Sequence, residues 1–139
     1  MNNDSDEYLV SEDNTIRDVL QVFQTTSSKN LPTGIAIVID NSNKVIGSIS
    51  EGDIRRALLS DFKLDQKIGS IYEKNPICFS EEYSYKEIIE KIPHELQKRN
   101  RKSNRYLNKI IITNESGALD KVLGYQNWLG LMKLNLKAE

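Results

Sequence analysis

The chain has 139 residues, enough for one compact domain or two small ones that share a core. Its charge is nearly balanced, with 19 Lys and Arg against 20 Asp and Glu, which argues against the basic footprint of a nucleic-acid binder. One Cys and one His exclude the usual zinc spacings and an internal disulfide, and no apolar run approaches the ~18–20 residues of a membrane span.

Residues 1–7 are polar and acidic and read as a frayed start without a signal-peptide core. Tyr8-Leu9-Val10 is a short apolar run that fits a brief strand. Asp13-Asn14-Thr15 offers N-caps, and Ile16, Val19, Leu20 and Phe23 then recur at i, i+3, i+4, i+7, the mark of a helix with one buried face. Thr25 to Asn30 reads as a polar exit loop. Ile35 to Ile39 is a buried β run, and Asp40-Asn41-Ser42-Asn43 has turn composition. Strand 44–49 follows, with Val45, Ile46 and Ile49 as its apolar signal and Gly47 where a side chain would obstruct. Helix 53–60 carries Ile54, Ala57 and Leu58 on one face.

The unit then recurs. Ile68-Gly69-Ser70-Ile71 reads as a short turn that packs its isoleucines, and Asn75 to Phe79 as a second leading strand. Tyr85, Ile88, Ile89 and Ile92 repeat the first helix face 69 positions on, with Ser84 as cap and Glu81-Glu82 suited to a helix start. Pro93 predicts a kink or stop, with His94 solvated after it. Lys98 to Arg105 reads as an inserted basic loop, either solvated or a cationic contact for a phosphate or an acidic partner. Lys109 to Thr113 repeats the strand at 35–39, and Asn114 to Gly117 repeats its turn. Val122-Leu123 is the last strand, and Trp128 to Leu136 the last helix. Such a repeat buries the apolar faces of its halves against each other.

Chemistry concentrates at Ser50-Glu51-Gly52-Asp53. One reading is a capping box, in which the Ser hydroxyl and the acid three residues on satisfy each other's backbone amides. The other is a nucleotide grip, with free helix N–H groups and a Ser donor for phosphate and a carboxylate for ribose hydroxyls. No nucleophile–base pair or Gly-rich phosphate loop is present, so the chain reads as non-enzymatic.

The longer string Gly47-Ser48-Ile49-Ser50-Glu51-Gly52-Asp53 resembles the G-h-h-T/S-x-x-D signature of cystathionine-β-synthase (CBS) domains. Its continuation, Ile54-Arg55-Arg56-Ala57-Leu58, is similar to CBS pairs fused to bacterial sugar-phosphate nucleotidyltransferases. The resemblance covers residues 8–133, specifically in the first half and loosely in the second. It implies an α+β fold of tandem βαββα repeats: a tail and short strand at 1–12, a first motif at 13–62 and a degenerate second motif at 63–135. It also implies a regulatory module that binds an adenine nucleotide or related adenosyl ligand, such as AMP or ATP, and controls an attached or associated enzyme. The alternative is a dimerisation module that binds nothing. Ser50 would meet phosphate or ribose and Asp53 the ribose hydroxyls. Gly47, Ser48 and Ile49 would supply backbone, and Pro76, Ile77 and Cys78 would line the base pocket. Arg56, with Arg55, would be a phosphate partner. The nucleotide is then a regulatory ligand, with no cofactor, no metal, no nucleic acid and no membrane. A cytoplasmic homodimer, through the last helix and Leu58-Leu59, completes the expectation.

Two registers for the second half stay open. Aligning the turns at Asp40 and Asn114 sets Gly124 opposite Ser50 and Asn127 opposite Asp53. Aligning Gly47 with Gly124 sets Asn127 and Gly130 there instead. Neither keeps a hydroxyl with a carboxylate.

Overall fold

The computed structural model describes residues 4–99 and 109–124. Among these residues it is a mixed α+β architecture with two three-stranded sheets and three α-helices. The first sheet holds β1 (Leu9–Val10), β2 (Ile35–Ile39) and β3 (Val45–Ser50), in the order β1-β2-β3. Helix α1 (Ile16–Ser28) connects β1 to its parallel neighbour β2, and α2 (Glu51–Leu59) follows β3 directly. The second sheet repeats the plan with β4 (Cys78–Ser80), α3 (Tyr85–Lys98), β5 (Lys109–Thr113) and β6 (Leu119–Gly124). The expected last helix at 128–136 lies outside the described residues.

The repeat is legible atom by atom. Asp40 Oδ1 accepts from the amides of Ser42 and Lys44, and Asn114 Oδ1 accepts from those of Ser116 and Ala118. Each turn then passes a left-handed residue, Asn43 or Gly117. The hairpins match pair for pair at 74 positions: Ile35 faces Ser50 as Lys109 faces Gly124, and both slip register one residue before the turn strand ends. This settles the register in favour of the turns. Gly124 stands where Ser50 does, and Lys121 where Gly47 does. The leading strands and helices match at 69 positions, Leu9 with Ile37 as Cys78 with Ile111.

Three apolar clusters hold the halves. Ile16, Val19, Phe23, Ala36, Ile49, Ile54 and Ile68 pack α1 and α2 onto one face of the first sheet. Ile77, Phe79, Ile88, Ile110 and Ile112 do the same for α3. Tyr8, Ile35, Ile37, Ile111, Leu119 and Val122 join the remaining faces of both sheets. Each buried Ile, Val, Leu or Phe among them contributes ~1.5–3 kcal/mol, so neither half keeps its full core alone. The 61–71 segment docks on the start of α1, where Gln66 and Leu64 carbonyls accept the Ile16 and Arg17 amides. These are donors that a helix leaves unpaired within itself. Ile68 is fully buried there, as the sequence predicts.

Four expectations need correction. Residues 4–7, expected to be frayed, instead form a 3-10 turn with Tyr8, in which Ser5 and Tyr8 are buried. The first helix continues to Ser28 instead of yielding to a loop at Thr25. Its Thr26 is fully buried because the hydroxyl donates to the Val22 carbonyl and reaches Thr33. The buried face therefore turns toward Thr26, and Leu20 is left 37% exposed. Helix α3 does not stop at Pro93 but runs through it, although the ring removes the donor that would meet the Ile89 carbonyl. A Ser84–Glu87 capping box, the packing of Tyr85, Ile92 and Leu96, and Arg99 at the end sustain it. Lys98 accordingly ends a helix rather than opening a loop.

Candidate functional site

Ser50 closes β3 and caps α2 in extended conformation. Its hydroxyl accepts the Asp53 amide at 3.2 Å, and Asp53 Oδ2 accepts the Ser50 amide at 2.9 Å, so the capping box is formed. The Ser50 hydroxyl also lies 3.0 Å from Oδ2 as a donor, and Arg56 donates to Oδ1 at 2.7 Å. The same box stands at Thr15–Asp18 and Ser84–Glu87, so each of the three described α-helices starts this way. At Asp18, the Thr15 amide first, and then the Asn14 side chain, hold the carboxyl below its usual range. The motif is therefore a helix start wherever it occurs, and a ligand role at Ser50 and Asp53 is an addition to it.

The residues before Ser50 are tightly engaged. A Cβ at Gly47 would stand 2.2 Å from the Tyr72 ring and 2.6 Å from the Glu73 carbonyl. The obstruction expected at this glycine is thus Tyr72, whose hydroxyl donates to Glu12 at 2.7 Å. Ser48 spends its amide and carbonyl on Glu73, at 3.0 and 2.8 Å. Ile49 points its side chain into the core. Gly47→Ala is expected to cost ~1–3 kcal/mol, as overpacking does, read by urea denaturation. An unchanged midpoint would mean that Tyr72 is not held against β3.

The Glu73 bridge sets where the second leading strand departs. Pro76 comes three residues later. Ile77 is buried in the α3 cluster, while Cys78 is half-buried against the cluster that joins the sheets. Burial pushes the Cys78 thiol up to about 11, against an opposing pull from Arg99, so it behaves as an inert packing group. Ile35, which pairs with Ser50, lies in that same shared cluster, and through it the two candidate segments meet.

Two participants escape sequence reading. Glu51 lays its side chain over Gly34, where a Cβ would come within 3.2 Å of the carboxyl carbon. Arg99, read as part of a basic loop, donates to Glu95 at 2.6 Å and reaches the Asn75 carbonyl and side chain, both at 3.3 Å. It thereby ties the end of α3 to the start of the leading strand. The i, i+4 spacing of Glu95 and Arg99 was the available signal. Arg55 is exposed, and Asn127 lies outside the described residues.

Among the described residues, no group of His, Cys, Asp and Glu is placed to hold a metal ion, and no helix is long and apolar enough to cross a membrane.

The CBS domain family model matches residues 4–60. No curated protein matches the sequence. Among solved structures, a CBS domain-containing protein of unknown function from Bacillus anthracis is 18% identical, with a TM-score of 0.67 over 94% of this chain and 87% of that one. A CBS domain protein from Pyrobaculum aerophilum, complexed with AMP, is 22% identical, with a TM-score of 0.63 over 93% and 97%. A CBS domain pair in complex with 5′-methylthioadenosine and S-adenosyl-L-methionine is 15% identical, with a TM-score of 0.62 over 89% of each chain. Residues 4–60 thus match a CBS domain, and the chain as a whole has the fold of a CBS domain pair.

Proposed function

We propose that the chain is a regulatory module that binds an adenosine-containing ligand at Ser50 and Asp53. The observation that carries this is the hydroxyl–carboxylate pair at the start of α2, set in a fold whose solved neighbours hold AMP or S-adenosylmethionine-related ligands. Ser50 offers a hydroxyl and Asp53 a carboxylate on one rigid helix start, which suits phosphate and ribose hydroxyls. Pro76 and Cys78, both half-buried, supply apolar surface for a base, while the Ile77 side chain between them is taken up by the α3 cluster. The regulated activity belongs to another domain or protein, a sugar-phosphate nucleotidyltransferase in the resemblance, and the setting is cytoplasmic.

A thermal-shift panel of AMP, ATP, S-adenosylmethionine and 5′-methylthioadenosine tests this. A ligand at one hundred times its Kd stabilises the folded state by ~2.7 kcal/mol, worth roughly 5–10 °C in a domain of this size. No shift with any of the four up to about 1 mM would sink the reading. A second reading, an assembly module, is favoured by Leu58 and Leu59, which are 40% and 79% exposed at the end of α2. It is read from the same samples as a dimer by light scattering without any thermal shift.

A further inference from the structure

The proposed site has two walls. Ser50 and Asp53 stand where β3 meets α2, while Pro76 precedes β4 and Cys78 opens it. Among the described residues, β3 and β4 belong to separate sheets. The backbone link between the walls is one antiparallel bridge, Ser48 with Glu73. Each residue donates its amide to the other's carbonyl, at 3.0 and 2.8 Å. A single bridge opens easily, since each of its bonds only replaces one to water. Arg99 holds the far side of this link, reaching the Asn75 and Pro76 carbonyls at 3.3 and 3.4 Å, and so ties that wall to α3.

Tyr72 secures the near side. Its ring lies against Gly47, where a Cβ would stand 2.2 Å from it, and the residue is buried. Its hydroxyl donates to Glu12, between β1 and α1, at 2.7 Å. That hydrogen bond first, and burial second, hold the phenol above its usual pKa, so the hydroxyl stays a donor at neutral pH.

We propose that Tyr72 is a positioning residue for the ligand site. Its ring, seated on Gly47, keeps the Ser48–Glu73 bridge closed and so sets the Pro76–Cys78 wall at its distance from Ser50 and Asp53. The inference rests on the adenosine-binding reading above. A site whose walls are already set loses less freedom when a ligand binds. Without the ring the bridge opens in the free chain, and binding must first close it again. Affinity then falls, and the protection that the ligand confers on the bridge rises.

The probe is whichever of AMP, ATP, S-adenosylmethionine and 5′-methylthioadenosine binds the wild type most tightly. Calorimetry, at a temperature where every chain is folded by circular dichroism, compares wild type with Tyr72→Leu, Tyr72→Phe and Glu12→Ala. Tyr72→Leu is expected to weaken binding about tenfold. Tyr72→Phe and Glu12→Ala keep the ring and lose only its tether, and each is expected to stay within about threefold. Hydrogen exchange supplies a readout that a purely structural role would not move. In free Tyr72→Leu the Ser48 and Glu73 amides are expected to exchange faster than in wild type, and to slow by a larger factor on saturation. A lower melting temperature with affinity within about twofold of wild type would make Tyr72 a core residue only and overturn the inference. Weaker binding with unchanged exchange at Ser48 and Glu73 would overturn it too, because the bridge would not be what acts. If Tyr72→Leu does not fold, the tether variants decide, and unchanged affinity and exchange in both overturn it. A folded wild-type chain that binds none of the four ligands overturns the adenosine reading itself, and this inference with it.

Discussion

Asp53→Ala is expected to weaken adenine nucleotide binding by about one to three orders of magnitude while leaving the chain folded. An acceptor carboxylate on a ribose diol makes charge-assisted hydrogen bonds of ~1.5–3 kcal/mol each, at ~1.4 kcal/mol per tenfold. The same substitution removes the acid of a capping box, at ~0.5–2 kcal/mol of stability. The fold itself supplies the control. Asp18 holds the same position in the box at α1, accepts the Thr15 amide at 2.9 Å, and lies outside the proposed ligand set. Asp18→Ala is expected to lower stability by a similar amount and to leave nucleotide affinity unchanged. Calorimetry and urea denaturation on both variants separate the two contributions. Equal losses of affinity would mean that binding follows helix-start stability alone, and that Asp53 makes no contact with the ligand.

The strands were legible in the sequence because the continuous runs Ile35–Ile39 and Ile110–Ile112 have no other compact solution than burial on both faces. The turns were legible because Asp40 and Asn114 are side chains that bond their own backbone two residues on. What failed were places where a polar or breaking residue is satisfied by tertiary context. Thr26 stays helical by bonding Val22, and Pro93 by the packing on either side of it. Arg99 looked like one more cation in a basic run, and only its partners Glu95 and Asn75 distinguish it. Of the candidate site, Ser50 and Asp53 were visible as a pair. Cap and grip could not be told apart in the sequence, since a capping box and a ribose grip ask for the same two residues at the same spacing; the structure shows the cap. Glycine misled in the register question. Gly47 exists for Tyr72, so aligning it with Gly124 matched two residues present for different reasons.

That register carries the last expectation, a stoichiometry of one nucleotide per chain. The two halves share a backbone plan, so two equivalent sites would be the default of the fold. Pairing at 74 positions gives the second half Gly124 where the first has Ser50, a residue with no hydroxyl to donate or to cap. Lys121 replaces Gly47 in the strand, so among the described residues the close approach that seats Tyr72 on β3 has no counterpart on β6. A ligand at the second position would forgo the Ser50-type donor, a loss of about tenfold or more for a charge-assisted bond to phosphate. Without the carboxylate as well, the combined loss takes a micromolar site to the millimolar range, since each ~1.4 kcal/mol is tenfold. Titration calorimetry on wild type is expected to give one site, and Ser50→Ala, Asp53→Ala together to remove it without exposing a second. Two sites of comparable affinity would show that the second half binds through groups other than those matched to Ser50 and Asp53.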